Sequence, residues 1–366
     1  MQKINKTSLV LVLLVIGLCI FGLMMIYSAS SYSALLKYGD EWYFVKKQAV
    51  GLLLGVVLFV VAYHFDYHLF LKLKWVVIGV SILALVLVFV PGIGISANGA
   101  RRWIGFGSLN LQSSELAKFG FVIFASCYLS KHYNDMKKFV GLIPILASGG
   151  IICVLILLEP NMSVTMCVGF VMVLMLIVGG IRLKHFLLLM IPAIALVPLL
   201  IIVEPYRLAR LTAFLNPWQN PMDEGYQLIQ SLYSLGAGGL FGVGLFNSRQ
   251  KYLFLPFSES DFIFSIIGEE LGFVGSVFVI LVYLAVVLLG VKIAVNAKDR
   301  LGSYLAFGVV AVIATQVLIN VAVVTGSIPP TGIPLPFVSA GGTSVSICMG
   351  AIGVLCNVGK RFDSVS

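Results

Sequence analysis

Four carboxylates lie within one polar stretch of an otherwise apolar chain. The stretch runs from Tyr226 to Gly272 and reads YQLIQSLYSLGAGGLFGVGLFNSRQKYLFLPFSESDFIFSIIGEELG. Carboxylates at the edge of a membrane segment cost free energy to keep dry, which makes them functional candidates by default. A carboxylate in that position can take a proton from a bound hydroxyl group and act as a general base. The four acidic residues are Glu259, Asp261, Glu269 and Glu270.

Asp261 is the strongest of these candidates, because it lies where a loop turns into an apolar helix. It could also cap that helix, since Asp is a common N-cap residue, and the two roles are compatible. A helix N-terminus lowers the pKa of a carboxylate, whereas an apolar surround raises it. The sequence leaves open which effect on the Asp261 pKa is larger.

Glu269 and Glu270 are predicted to be structural. Asp261 and Glu269 are eight residues apart, about 12 Å along a helix, which is too far for two carboxylates to share a proton. Glu270 points nearly opposite to them. Both glutamates are therefore predicted to anchor buried hydrogen bonds or ion pairs.

Seven cations fall on the same predicted side of the membrane. Arginine grips phosphate through its planar fork and lysine acts as a point charge. The set therefore suits a pyrophosphate headgroup, or equally the headgroups of ordinary lipids. Glu115 and Lys118, spaced i to i+3, either pair with each other or leave Lys118 to pair with Asp261. The cations are Arg101, Arg102, Lys118, Arg207, Arg210, Arg249 and Lys251.

The elements that must position these residues are membrane helices. The 366 residues are 60% hydrophobic and only 11% charged, more apolar surface than a soluble protein can cover. Strand alternation is absent, so a single all-helical membrane domain over residues 1–366 is predicted, with ten transmembrane helices. Their predicted bounds are Leu9–Tyr27, Val50–Phe65, Trp75–Pro91, Leu116–Leu129, Val140–Leu158, Met162–Gly180, Phe186–Val203, Phe264–Val295, Tyr304–Thr325 and Gly341–Val358.

The distribution of lysine and arginine predicts the orientation of these helices. With the N-terminus inside, fourteen of them lie on inner segments and five on the short outer loops. Both termini are therefore predicted to be cytoplasmic, and a large loop of about residues 204–263, between the seventh and eighth helices, extracytoplasmic. All four histidines then fall inside, which leaves outer-side chemistry to carboxylates. The net charge of +9 follows from the same asymmetry, so no nucleic-acid partner is predicted.

Three sequence patterns are read as structural. The connection SIPPTGIPLPFVSAGGTS is rich in proline and glycine, and such breakers survive at membrane depth only where neighbours or a cavity satisfy the backbone. It is predicted to be a re-entrant or cavity-lining segment. The glycines of GAGGLFGVG lack the GK[ST] of a phosphate loop and predict a tight turn or close packing. The six cysteines lie in apolar runs without metal-site or disulfide spacing.

At these motifs the chain resembles the SEDS family (shape, elongation, division and sporulation), and within it the FtsW/SpoVE branch. The matches span nearly the whole chain in the expected order. They are IYSASS (26–31), NGARRWIGFGSLNLQSSELAK (98–118), FLNPWQNP and GYQLIQSLYSLGAGGLFGVG within 210–244, SRQKYLFLP (248–256), SDFIFSIIGEELGF (260–273), INVAVVTG (319–326) and TGIPLPFVSAGGTS (331–344).

The resemblance implies a ten-helix peptidoglycan glycosyltransferase of the bacterial cytoplasmic membrane, which polymerises lipid II on the outer face. It implies as partners a class B penicillin-binding protein, which is a transpeptidase, and other division or sporulation proteins. No organic cofactor is expected. A divalent cation, Mg²⁺ or Mn²⁺, is a candidate cofactor, and no residues are assigned as its ligands. Asp261 is expected to be catalytic. The predicted substrate-binding residues are Arg102, Glu115, Lys118, Arg210, Lys251, Ser339, Gly341, Gly342, Thr343 and Ser344.

The chain departs from the family pattern at several positions. The chain differs from the family at Asn161, Phe246, Phe257 and Ala340, and Glu259 stands where histidine is more usual.

Broken helices and buried charges also suit a transporter that flips lipid II or another polyprenyl-linked sugar. A third alternative is a scaffold that only activates its transpeptidase. An enzyme forms glycan in detergent, whereas a transporter does not.

Overall fold

The structure is a computed structural model that describes residues 5–97, 100–106, 109–202 and 205–360. Lys3 and Arg361, two of the cations behind the predicted topology, lie outside the described residues. So do positions 98–99 and 107–108 of the NGARRWIGFGSLN motif and positions 203–204, where the predicted seventh helix meets the large loop.

Every predicted span coincides with a helix, and the all-helical, multi-pass architecture is confirmed. Among the described residues, seven helical segments are long and apolar enough to cross a membrane. Two further helices, α8 and α9, lie in the predicted outer loop. The helices are α1 (Lys6–Tyr38), α2 (Tyr43–His64), α3 (Phe70–Leu87), α4 (Ser113–His132), α5 (Phe139–Leu158), α6 (Met162–Val178), α7 (Leu183–Ile202), α8 (Pro205–Leu215), α9 (Tyr226–Gly238), α10 (Ile263–Val295), α11 (Arg300–Val324) and α12 (Gly342–Lys360).

Helix α11 forms the centre of the bundle and α2 its edge. Most α11 side chains are buried, whereas most of α2 is exposed along its apolar length. The edge helix is held against α12 at a close crossing of two glycines. A Cβ atom on Gly51 would lie 2.4 Å from the Cα atom of Gly342, so only glycine permits this approach. The outer half of α2 is thereby fixed beside the start of α12.

The eighth predicted span, α10, is longer than a membrane requires. It has 33 residues, about 50 Å of helix, against a hydrocarbon core of about 30 Å. Its helical path is interrupted at Gly272, where φ is 69° and ψ is −167°. Residues 273–295 alone span about 34 Å. The first turns of α10, with Glu269 and Glu270, are therefore not needed to cross the hydrocarbon core.

Helix α9 packs closely against these first turns of α10. The hydroxyl groups of Ser231 and Ser265 lie 2.8 Å apart. A Cβ atom on Gly238 would lie 2.0 Å from the carbonyl oxygen of Gly268, so the helices touch through their backbones. The predicted close packing by the glycine cluster is confirmed. This part of the large loop is therefore folded against α10 and is not an irregular connection.

A small antiparallel sheet, which was not predicted, lies in the segment before α4 that is predicted to be extracytoplasmic. Its strands are β1 (Gly94–Ala97), β2 (Ala100–Phe106) and β3 (Leu109–Gln112), in the order β1-β2-β3. Ile95 pairs with Trp103, which pairs with Gln112 on the other side. Strands this short carry too little alternation to be recognised in sequence. The sheet places Arg102 over the outer side of the bundle.

Candidate active site

A cavity of about 720 Å³ opens at the end of the bundle that the sequence predicts to be extracytoplasmic. Its walls come from the small sheet, the α5–α6 junction, α8, the outer half of α2, the loop before α10 and the connection before α12. The prediction that this last connection lines a cavity is confirmed. The predicted site residues that line it are Arg102, Arg210, Asp261, Gly341, Gly342, Thr343 and Ser344, and Glu259 joins them.

Asp261 is held at the cavity wall by the chain segments around it. Helix α10 begins two residues later and has no side-chain cap, so Asp261 does not cap it. The Asp261 carbonyl accepts a hydrogen bond of 2.9 Å from Asn320. Its carboxylate faces Gly332, where a Cβ atom would lie 2.8 Å from Oδ2. The carboxylate therefore lies directly against the connection before α12.

The environment of Asp261 makes it a stronger base than an exposed aspartate. Burial, together with the nearby charge of Glu259, raises its pKa from the ordinary value near 3.8 to about 6. Arg102 and Arg210 act in the opposite direction and lower it. At neutral pH the carboxylate is still ionised, with more affinity for a proton than usual. This answers the question that the sequence left open about its pKa.

Two arginines present positive charge to the same cavity. The Nε atom of Arg102 donates to the carbonyl of Glu159 over 3.1 Å, and its Nη2 atom donates to the carbonyl of Pro160. Arg210 donates to the carbonyl of Pro330 over 3.3 Å. The guanidinium groups are thus attached to two different walls. Both arginines line the same cavity as Asp261, and their positive charges lower the pKa of that carboxylate.

Glu115 and Lys118 lie behind the cavity wall instead of lining it. They are 0% and 2% exposed, and the Lys118 Nζ atom lies 2.6 Å from the Glu115 Oε1 atom. The other Glu115 oxygen accepts a 3.0 Å hydrogen bond from Ser344. Of the two predicted arrangements, the structure contains the internal pair and not the pairing of Lys118 with Asp261. The pair supports the start of α12 from behind.

Lys251 and Ser339 also lie behind the cavity walls and hydrogen-bond to the backbone there. Lys251 is buried, and its ammonium group donates to the carbonyl of Phe246. The Ser339 hydroxyl donates to the carbonyl of Ser260 over 2.6 Å and accepts from the backbone of Leu335 over 2.8 Å. Neither side chain is among those lining the cavity. Each side chain therefore holds two parts of the chain together.

Glu269 and Glu270 are anchors, and that prediction is confirmed. Glu269 accepts hydrogen bonds from the side chains of Ser234 and Ser248 and from the backbone of Arg249, the last over 2.9 Å. Glu270 accepts a 2.5 Å hydrogen bond from Ser28 of α1. The two carboxylates hold the loop that precedes Asp261 to the bundle.

Sequence reasoning missed two polar residues at the edge of the site. Gln48 of α2 donates to the carbonyl of Ser339 over 3.1 Å and accepts from the backbone of Gly341 over 2.9 Å. Glu159 is fully buried, accepts from Ser113 over 3.0 Å, and its pKa is raised by burial to about 8. In the sequence, each of them is a polar residue at the end of an apolar run, and this was the available signal for a role at the site.

The family model for FtsW, RodA and SpoVE, described as cell cycle protein, matches residues 8–363. Stage V sporulation protein E of Bacillus subtilis is 40% identical over 360 residues, which are 97% of this chain and 98% of that protein. A protein of Geobacter metallireducens named "Probable peptidoglycan glycosyltransferase FtsW" is 38% identical over 99% of this chain and 96% of its own.

Solved structures share this fold. A chain from a structure of a peptidoglycan synthase complex, described as coordinating polymerization and crosslinking, is 26% identical with a TM-score of 0.80. The match covers 97% of this chain and 98% of that one. The rod shape determining protein RodA of Thermus thermophilus has a TM-score of 0.70 at 24% identity, over 97% of both chains. At that identity, the likeness to RodA concerns the fold alone.

Proposed function

The chain belongs to the FtsW/RodA/SpoVE family of cell cycle proteins, and from this membership we propose that it is a peptidoglycan glycosyltransferase that polymerises lipid II. The observation that carries the proposal is the position of Asp261. A carboxylate whose pKa is raised to about 6 lies at the wall of a cavity that is also lined by Arg102, Arg207 and Arg210. General bases work best with a pKa near the working pH.

The proposed reaction is a single displacement with inversion. Asp261 takes the proton from a hydroxyl group of the acceptor sugar as that oxygen attacks the anomeric carbon of the lipid-linked donor. The bond between the anomeric carbon and the pyrophosphate oxygen breaks in the same step. Arg102 and Arg210 stabilise the negative charge that develops on the departing pyrophosphate.

The cavity suits a substrate with a charged head and an apolar tail. It extends down α2 to Gly51 and Leu54. A second cavity of about 360 Å³ begins one helical turn deeper, at Leu58, and the described residues that line it are all apolar. A headgroup in the first cavity would thus have an apolar path for its polyprenyl chain.

A divalent cation, Mg²⁺ or Mn²⁺, is part of the proposal only as an aid to the leaving group. Among the described residues, no group of three or more His, Cys, Asp or Glu side chains could hold a metal ion. Glu259 and Asp261 line one cavity, and Mg²⁺ commonly binds one or two carboxylates together with substrate phosphates. When bound, such an ion would neutralise pyrophosphate charge.

The partner and the setting follow from the same family. One similar structure belongs to a complex that couples polymerization to crosslinking. We propose that this chain likewise works with a class B penicillin-binding protein, in cell division or sporulation. Its lysine and arginine distribution supports cytoplasmic termini, a place in the bacterial cytoplasmic membrane and an extracytoplasmic cavity.

Polymerisation in detergent tests the proposed function. The purified chain, incubated with lipid II and without a bilayer, is expected to form glycan strands, and its transpeptidase partner to raise the rate. A transporter would move lipid II across liposome membranes but form no glycan in detergent. A scaffold would form none without a partner that is itself a polymerase. Either of those results would reject the proposal.

Gly332→Ala is expected to lower the polymerisation rate about tenfold. The added Cβ atom would lie 2.8 Å from the Asp261 carboxylate, which is too close, so the carboxylate must move. Displacing a reacting group by a fraction of an ångström has effects of this order. Initial rates of glycan formation provide the measurement.

Gly236→Ala is the matched control for that substitution. It lies on α9, where an added Cβ atom has nothing within 4 Å. Its rate is expected to equal that of the unmodified chain. A Gly332→Ala protein as fast as this control would show that the carboxylate is not fixed by its contact with Gly332.

A further inference from the structure

Asn320 is a buried polar residue of α11 that connects two walls of the cavity. Its side chain is 1% exposed. The Nδ2 atom donates two hydrogen bonds, one of 2.9 Å to the carbonyl of Asp261 and one of 2.8 Å to the carbonyl of Ile333. Both amide hydrogens are thus used, and each goes to a different chain segment. One side chain from the central helix therefore holds both segments.

The two segments face each other at the carboxylate of Asp261. Asp261 belongs to the loop before α10, and Ile333 follows Gly332 in the connection before α12. The carboxylate and Gly332 approach so closely that no Cβ atom fits between them. The spacing between the base and the opposite wall therefore depends on where the Asn320 amide holds the two carbonyls.

An amide is the side chain that this junction requires. Two backbone carbonyls converge on one buried point, and an uncharged nitrogen with two hydrogens satisfies both of them. A hydroxyl group could satisfy only one, and an aliphatic side chain neither. Buried carbonyls without partners are unfavourable, so the segments would separate or admit water.

Other contacts keep the two segments attached to the bundle when this one is removed. Ser339 donates to the carbonyl of Ser260 over 2.6 Å. Tyr283 of α10 donates to the carbonyl of Pro336. The loss of Asn320 is therefore expected to loosen the spacing at Asp261 without releasing either segment. The fold and the substrate-binding walls would persist.

We infer that Asn320 is a positioning residue for glycosyl transfer, which fixes the Asp261 carboxylate against the Gly332 wall by holding the carbonyls of Asp261 and Ile333 on one amide. The inference rests on the proposed polymerase function. It predicts that an Asn320 variant binds lipid II normally and turns it over slowly. Misplacement by about an ångström lowers rates by up to about a hundredfold.

The test compares Asn320→Leu with Asn357→Leu in the full-length chain. Asn357 makes the same kind of contact at the cytoplasmic end of α12, where its amide donates to the carbonyls of Ala62 and Tyr63 over 2.9 Å each. Both variants lose a buried amide that bridges carbonyls, and both are expected to melt at a lower temperature. Only Asn320→Leu is expected to lower kcat, by 10- to 100-fold, with KM for lipid II within about threefold.

The pH dependence gives a second readout that a merely structural role would not move. Loosening the walls admits water to Asp261, and burial is the main cause of its raised pKa. The acid limb of the Asn320→Leu rate profile is therefore expected to shift to lower pH, whereas that of Asn357→Leu stays in place. Asn320→Ser keeps one donor, and its kcat is expected to lie between those of Asn320→Leu and the unmodified chain.

Any of four results would overturn the inference. If Asn320→Leu loses no more kcat than Asn357→Leu, or raises KM while kcat is unchanged, Asn320 does not position the base. If Asn320→Leu does not fold, Asn320→Ser replaces it, and an unaltered kcat and acid limb in that variant lead to the same conclusion. If the unmodified chain itself forms no glycan, the proposed function fails first, and the inference fails with it.

Discussion

Asp261→Asn is expected to lower the polymerisation rate by about 10²- to 10⁴-fold, the range that a general base contributes. The amide has nearly the shape of the carboxylate but cannot take the proton of the acceptor hydroxyl. The cavity and its arginines are unchanged, so lipid II should still bind. Initial rates in detergent, with binding of lipid II measured separately, check both parts of this expectation.

The same substitution is expected to stabilise the protein at neutral and alkaline pH. The folded-state pKa of Asp261, about 6, lies above its ordinary value near 3.8. A group raised in this way stabilises the fold below its unfolded pKa, and that contribution is lost as the pH rises through 6. Asparagine carries no charge, so the variant should gain about 3 kcal/mol at pH 8 and nothing near pH 3.

These two effects of Asp261→Asn separate chemistry from folding. A protein that melts higher at pH 8 and forms no glycan has lost a reacting group and not its structure. A variant that polymerises at the parental rate would remove Asp261 from the mechanism. A variant that melts lower at pH 8 would show that its carboxylate is not held in an unfavourable environment.

Lys118→Met is expected to destabilise the chain by about 3–5 kcal/mol, the usual effect of leaving one member of a buried ion pair alone. The ammonium group of Lys118 is the cation paired with Glu115, and neither residue is exposed by more than 2%. Without it, a carboxylate at the base of the cavity wall is left buried beside Ser344. Thermal melting in detergent is the measurement.

The double variant Glu115→Gln, Lys118→Met shows what the pair does. Removing both charges leaves no unpaired ion, so most of the lost stability should return. The variant should also keep its lipid II affinity, because the pair does not line the cavity. A stable double variant that no longer binds lipid II would instead support the direct substrate-binding role predicted from the sequence.

The membrane helices could be predicted because the bilayer imposes their length and their hydrogen bonding. Each of the ten predicted spans coincides with a helix. The outer layer was less predictable, since α8, α9 and the sheet around β2 are held by tertiary contacts and not by a strong pattern of their own. The interruption at Gly272 was also missed, because it depends on the loop backbone that packs against it.

The site was predictable in its chemistry and less so in its geometry. Asp261 stood out because it lies where a loop turns into an apolar helix, and Arg102 because it lies in a recognisable motif. Asn320 lies in the matched motif INVAVVTG but was given no role, since its contact with Asp261 joins residues 59 positions apart. Lys118 had two predicted partners, and only the folded chain shows that it pairs with Glu115. Contacts between distant segments set these roles.

The pH dependence of glycan formation tests most directly whether Asp261 is the base. The rate with limiting lipid II should rise with pH, reach half its maximum near pH 6 and level off above it. Because the charge of Glu259 raises the Asp261 pKa, the midpoint for Glu259→Gln should move to lower pH. A rate that does not change between pH 4.5 and 8, or a midpoint that Glu259→Gln leaves in place, would contradict the account.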